Sequence, residues 1–277
     1  MKNQTKDPGS MDWKKILDEA VQACLAGRKI LLDYYGHLQK IEEKHQAGLV
    51  SEADKESERV ISELLKKILP QSEFLGEESY FDGARVSTGR AGKEGRWILD
   101  PLDGTTNYIH QFPLFCISLA LEVSADLKIA VIDVPLLNET YTAIRGQGAW
   151  VNGQRLRVSQ TSEIERSLLS TGFFAEDIPV LEEQLKIFSH LVRKARGVRR
   201  SGSAAYDLCQ VARGVFDAYW EKNLKPWDTA AGQLLVEEAG GVLLTYDGRP
   251  HHPYENSLIS GNQKMASLIQ KSVNLLV

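Results

Sequence analysis

Cysteine is scarce in this sequence, with three in 277 residues, and Cys24, Cys116 and Cys209 form no Cys-x-x-Cys pair. That excludes a disulfide-framed domain and a thiolate zinc site, and suits reduced thiols packed in the core of a cytoplasmic protein. Long apolar runs are missing as well, and no charged n-region precedes an apolar stretch, so neither a transmembrane helix nor a secretory signal is expected. Charge of one sign is not in excess. A formal net charge of -4 gives no electrostatic reason to expect nucleic acid or an anionic membrane as partner. What is present is an ordinary globular composition, 43% hydrophobic and 25% charged, with length for one large or two modest domains. Residues 1–10 are polar and end in Gly9-Ser10 before a second methionine. This has the form of an expression-tag junction, so the native start is expected at Met11 and residues 1–10 outside the fold.

The most informative stretch runs from Trp97 to Phe112. Trp97, Ile98 and Leu99 read as a strand, and Pro101 and Gly104 read as the loop that ends it. Asp100 and Asp103 sit there three residues apart, with hydroxyls at Thr105 and Thr106. Hard divalent cations take such oxygen ligands, and Gly104 lets an ion or a phosphate approach the backbone. An Asp-Pro-x-Asp-Gly turn is also a common strand terminator, and both readings stand at this point. Two neighbouring chemistries fail on spacing: an EF-hand needs alternating acids and a Glu at its twelfth position, and a phosphoaspartyl site needs its acids two apart.

Other acidic positions carry the same ambiguity. Ser51 and Asp54 have capping-box spacing at the head of a helix with Val60, Ile61, Leu64 and Leu65 on its core face, so Asp54 is a helix-start carboxylate or a catalytic one. Glu77 and Glu78 end a short strand in Gly76-Glu77-Glu78-Ser79, as an exposed turn or as ligands. Asp228 follows Pro226-Trp227 at a helix start, and Glu221 closes a strand reading Phe216 to Glu221. The turn before the helix that contains Ala204, Leu208 and Val211 either packs that helix closely or presents N–H groups to an anion. Residues 80–95 read as a loop able to cover the site. A long helix is expected from Trp13 to about Gly36. Leu114 to Glu122, Lys128 to Val134 and Glu139 to Ile144 are expected as antiparallel strands, and a helix over Leu181 to Lys194. The boundary between an N-terminal half (11–155) and a C-terminal half (156–277) is placed near residue 155. His251 and His252 read as loop residues.

Asp-Pro-Leu-Asp-Gly-Thr-Thr-Asn, preceded by Gly-Glu-Glu-Ser and followed by Trp227-Asp228-x-Ala-Ala-Gly and Glu238-Ala-Gly-Gly241, resembles the inositol monophosphatase family of magnesium-dependent, lithium-sensitive phosphatases. The likeness covers nearly the whole chain from about Trp13. It implies a layered α-β-α-β-α sandwich, of the type shared with fructose-1,6-bisphosphatase, in a cytoplasmic homodimer. It also implies two or three Mg2+ ions held by Glu77, Asp100, the Leu102 carbonyl, Asp103 and Asp228. In that pattern Asp54 and Thr105 position the attacking water, with Lys44 nearby and Glu78 beside the ligand Glu77. Asp103, Gly104, Thr105, Gly202, Ser203, Ala204, Glu221 and Asp228 face the substrate. Leu102 stands where most members have Ile, which matters little to a backbone ligand. The implied reaction is hydrolysis of a small phosphorylated polyol, with myo-inositol 1-phosphate as first choice. The alternatives are 3'(2'),5'-bisphosphate nucleotides, fructose 1,6-bisphosphate, NADP and histidinol phosphate. A partner-binding regulator that keeps the metal site is the alternative of another class.

Overall fold

The computed structural model describes residues 11–44, 48–83 and 91–276. The expected tag, residues 84–90 of the expected covering loop and the side chain of Lys44 lie outside the described residues. The first helix, α1 (Trp13–Tyr34), is capped by Asp12, whose carboxylate accepts the Lys15 N–H at 3.1 Å. Its buried residues, among them Ile16, Leu17, Ala20, Cys24 and Leu31, recur at the helical period that marks one core-facing stripe. An antiparallel hairpin follows, β1 (Ile41–Lys44) and β2 (Gly48–Ser51), and leads into α2 (Glu52–Ile68). Sequence reading passes over this hairpin because β1 reads Ile-Glu-Glu-Lys and offers no apolar alternation.

Next, β3 (Glu73–Gly76) runs into the short helix α3 (Glu77–Phe81), and β4 (Arg96–Asp103) runs into α4 (Thr105–Ile109). β5 (Cys116–Val123), β6 (Asp126–Val134), β7 (Glu139–Ile144), β8 (Gly148–Val151) and β9 (Gln154–Arg155) complete a seven-stranded sheet in chain order. β3 pairs with β4 in parallel, and every later neighbour is antiparallel, as the sequence reading of this region has it. The remaining elements are β10 (Leu168–Thr171), α5 (Ile178–Val192), β11 (Gly197–Arg199), α6 (Ala204–Ala212), β12 (Ala218–Lys222), α7 (Pro226–Glu238), β13 (Val242–Leu244), β14 (Ser257–Gly261) and α8 (Gln263–Asn274). Their strands form a five-stranded mixed sheet in the order β11-β10-β12-β14-β13.

Alternation along the long strands distributes side chains between two cores. Trp97, Leu99, Ile117, Leu119, Leu121, Ile129 and Val131 pack with α1 and α2. Ile98, Cys116, Ala120, Ala130, Ile132 and Val134 pack with α6 and α7 on the other face. A third core joins β10, β12 and β14 to α5 and α8. Helices α1 and α2, the large sheet, helices α6 and α7, the small sheet, and helices α5 and α8 are therefore five successive layers, the α-β-α-β-α sandwich. One expectation needs correction: β4 does not end at Leu99 but continues through Pro101 to Asp103. A register shift between Asp100 and Asp103 makes room for the proline, which has no N–H to give to the ladder.

Candidate active site

That register shift decides where the two aspartates go. Asp100 lies opposite Ser118 and Asp103 opposite Cys116, so three steps on β4 match two on β5. Residues three apart on a regular strand face opposite sides; the extra residue cancels the alternation and brings both carboxylates into one neighbourhood, where Asp103 acts on Asp100. Asp100 Oδ1 accepts the Leu102 N–H at 2.9 Å, which closes the irregular step. Gly104 follows with φ of +93°, and a Cβ there would lie 3.1 Å from the Leu114 carbonyl, so only glycine fits the turn into α4.

Thr105, the first residue of α4, places its hydroxyl 3.1 Å from Asp54 Oδ1 and 3.0 Å from the Leu102 carbonyl. A hydroxyl has one proton, so it donates to one of these at a time. Asp54 is buried, and its Oδ2 accepts both the N–H (2.8 Å) and the hydroxyl (2.6 Å) of Ser51. The capping box is present: the helix-start role occupies one oxygen of Asp54, and the other faces Thr105. Asp228 behaves likewise: its Oδ2 accepts the Lys225 N–H at 2.7 Å at the head of α7. The Ser118 hydroxyl donates to the Trp227 carbonyl at 2.9 Å and ties the head of α7 to β5.

Around Asp103 the turn at residues 201–205 is more specific than a packing turn. Ser203 donates its hydroxyl to Asp103 Oδ2 at 2.7 Å, and the Ala205 N–H reaches the same oxygen at 2.7 Å. The helix head does present N–H groups to an anion, and that anion is the protein's own carboxylate. Asn107 fastens this turn to the β4 loop by donating to the carbonyls of Leu114 (2.6 Å) and Ser201 (2.8 Å). Gly202 sits under it at φ +88°, where a Cβ would meet the Asn107 amide at 2.8 Å.

Burial is the first cause that pushes the Asp100, Asp103 and Asp228 carboxyls up, Asp103 to about 6. The charges that raise Asp100 are Glu77, Asp103 and Asp228, all acidic. Glu77 therefore shares this neighbourhood although it comes from α3. Among the described residues no three histidine, cysteine, aspartate or glutamate side chains close into a coordination shell. Like charges push apart, and each of the three aspartates turns one oxygen to its own donor. The donor set is nonetheless all oxygen and carries excess negative charge, which fits a hard divalent cation rather than zinc.

Glu221, near the end of β12, is pushed up to about 7 by burial, against the pull of the Tyr219 hydroxyl that donates to it. Glu77, Phe81, Phe173, Glu221, Trp227 and Asp228 line one cavity of about 310 Å³. Sequence reasoning missed three supports. A Cβ on Gly172 would overlap the Glu221 carboxylate, so that glycine is a close-approach position hidden in an ordinary strand-end turn. Tyr219 shares its strand with Glu221 at a spacing of two, the signal that both point to one face. Asn107 stood in the quoted motif but carried no assigned role. His251 is a buried loop residue, with Nδ1 3.1 Å from Gln233 Oε1.

Comparison with known proteins gives one answer. A model of the inositol monophosphatase family matches residues 12–276. The inositol-1-monophosphatase of Synechocystis sp. is 37% identical over 255 residues, covering 92% of this chain and 87% of the relative. The Nus factor SuhB of Pseudomonas aeruginosa is 41% identical over 226 residues, covering 81% and 82%. The crystal structure of the extragenic suppressor protein suhB from Bartonella henselae superposes with a TM-score of 0.86 at 34% identity, covering 95% of this chain and 100% of that one. Matched over nearly its whole length in sequence and in fold, the chain belongs to the inositol monophosphatase family of metal-dependent phosphatases.

Proposed function

We propose that this phosphatase hydrolyses a small polyol phosphate, with myo-inositol 1-phosphate as its substrate and Mg2+ as its metal. The observation that carries the proposal is the end of β4, where a bulge gathers Asp100 and Asp103 beside Asp228 and Glu77 while the Thr105–Asp54 pair stands next to them. Glu77, Asp100 and the Leu102 carbonyl would hold one ion, and Asp100, Asp103 and Asp228 a second. When bound, such ions supply the positive charge that a phosphoryl group needs as it is transferred. The residues of this chain do the rest. Thr105 orients the attacking water through a lone pair and passes its own proton to Asp54 Oδ1 as it takes one from the water. N–H groups of Gly104 and Thr105 receive phosphate oxygens. Gly202, Ser203 and Ala204 border the polyol, and Glu221 accepts hydrogen bonds from its hydroxyls. The working protein is expected to be a cytoplasmic homodimer.

The test is phosphate release from inositol 1-phosphate, adenosine 3',5'-bisphosphate, fructose 1,6-bisphosphate, NADP and histidinol phosphate, with and without magnesium and with added lithium. Metal-dependent, lithium-sensitive preference for the inositol ester is the expected result. Preference for another ester would keep the mechanism and discard the role given to Glu221. A second reading is favoured by the likeness to a relative named as a Nus factor: a regulator that binds a partner and keeps the site. Partner binding that survives complete loss of magnesium-dependent turnover would support it.

A further inference from the structure

Helix α2 carries more of the site than Asp54. Ser57 and Glu58 lie three and four residues further on, hence on the same face of the helix, and all three side chains are buried. Two of them reach the end of β4, Asp54 at Thr105 and the Ser57 hydroxyl at the Pro101 carbonyl (3.3 Å), and Glu58 reaches the head of α3 at the end of β3. Glu58 uses both carboxylate oxygens there. Oε2 accepts the Glu78 N–H at 2.9 Å, and Oε1 accepts the Ser79 N–H at 2.9 Å together with the Ser79 hydroxyl. A Cβ on Gly76 would overlap this carboxylate, so the glycine of the Gly-Glu-Glu-Ser stretch is what lets Glu58 come in. The two N–H groups it satisfies belong to the first two peptides after Glu77, and so hold the backbone from which the Glu77 side chain starts.

We propose that Glu58 is the positioning residue for Glu77, holding the turn at residues 76–79 so that α2 sets both the water-orienting pair and the ligand Glu77. The inference rests on the metal role given to Glu77 above. Its chemistry is specific to a carboxylate with two acceptor oxygens. Glutamine has the same shape but turns an NH2 group towards one of the N–H donors, so Glu58→Gln disrupts the turn although it conserves volume.

The experiment is calorimetric titration of Mg2+ into the wild-type protein, Glu58→Gln and Ser79→Ala, alongside steady-state hydrolysis of inositol 1-phosphate. Loss of a group that orients a ligand weakens metal affinity about 10- to 100-fold, and that range is expected for Glu58→Gln. The magnesium concentration for half-maximal turnover should rise by the same factor, with KM for the ester at saturating magnesium changed by no more than about twofold, a split that general unfolding would not produce. Ser79→Ala removes only one of the three bonds, so a roughly threefold weakening is expected, and it decides the matter if Glu58→Gln fails to fold. Wild-type magnesium affinity in either folded variant overturns the inference. Weakened binding in both variants, from a wild type that binds magnesium but hydrolyses none of the esters, supports it while rejecting the proposed function. A wild type that takes up no magnesium overturns both.

Discussion

The Thr105 hydroxyl is the smallest unit on which the proposed mechanism turns, because it links Asp54 to the loop that carries Asp100 and Asp103. Thr105→Val keeps the shape and removes the proton relay; kcat is expected to fall about 100-fold or more with KM little changed. Stopped-time phosphate assays decide this, and an unchanged kcat would contradict it. Gly172→Ala tests a different residue-scale claim. Its new methyl overlaps the Glu221 carboxylate, so KM for the polyol ester is expected to rise about tenfold, as for a displaced hydrogen-bond acceptor, while a phosphate ester without hydroxyls is hardly affected. Equal losses on both esters would count against the role of Glu221. Some of this was legible without a structure. The acids and Thr105 stand in one recognisable order, and carboxylates three apart with a glycine and threonines behind them narrow the chemistry. Gly172 could not be read, because the group it makes room for lies far along the chain and meets it only after folding.

Elements set the frame in which those residues meet. Apolar runs of strand length predicted β5, β6 and β7, because strands that meet a core on both faces are apolar at most of their central positions, as Leu119 to Leu121 and Ile129 to Ile132 are. The bulge in β4 left no such trace: its proline looked like a strand end, whereas it marks the step where the ladder gives up a donor. Hairpin β1–β2 was invisible for the opposite reason, since it has little apolar surface to betray it. A buried ion pair ties α1 to the sheet. Arg28 Nε donates to Asp133 Oδ2 at 2.7 Å, and Asp133 is fully buried. Arg28→Ala leaves that carboxylate without its cation, for an expected loss of about 3 kcal/mol in stability by chemical denaturation. A loss under about 0.5 kcal/mol, the range of an ordinary surface change, would show that Asp133 is carried by other partners such as Thr140.

At the scale of the whole molecule the five layers bring together an acid from α2, one from α3, two from β4 and one from α7, and no single stretch of sequence contains that set. Only the ordered likeness to a known family made the set readable in advance. The same packing buries His251, in the loop between β13 and β14, against Gln233 of α7 and holds its imidazole down to about 3, chiefly by burial. The unfolded chain protonates this histidine near 6.5 and the folded chain does not, so stability is full above pH 6.5 and falls as the pH drops towards 3. His251 by itself removes roughly 2 kcal/mol by pH 5 on this account, against the opposite effect of the raised Asp103 and Glu221 carboxyls, and the difference between wild type and His251→Gln should show it. A denaturation series from pH 7 to 5 checks both. The central claim, that the gathered carboxylates form a magnesium centre for ester hydrolysis, is tested most directly by phosphate release from myo-inositol 1-phosphate during a magnesium titration of the wild-type protein and Asp103→Asn. Saturable, magnesium-dependent turnover in the wild type and none in a folded Asp103→Asn is the predicted result. Turnover near the wild-type level in that variant would contradict the claim.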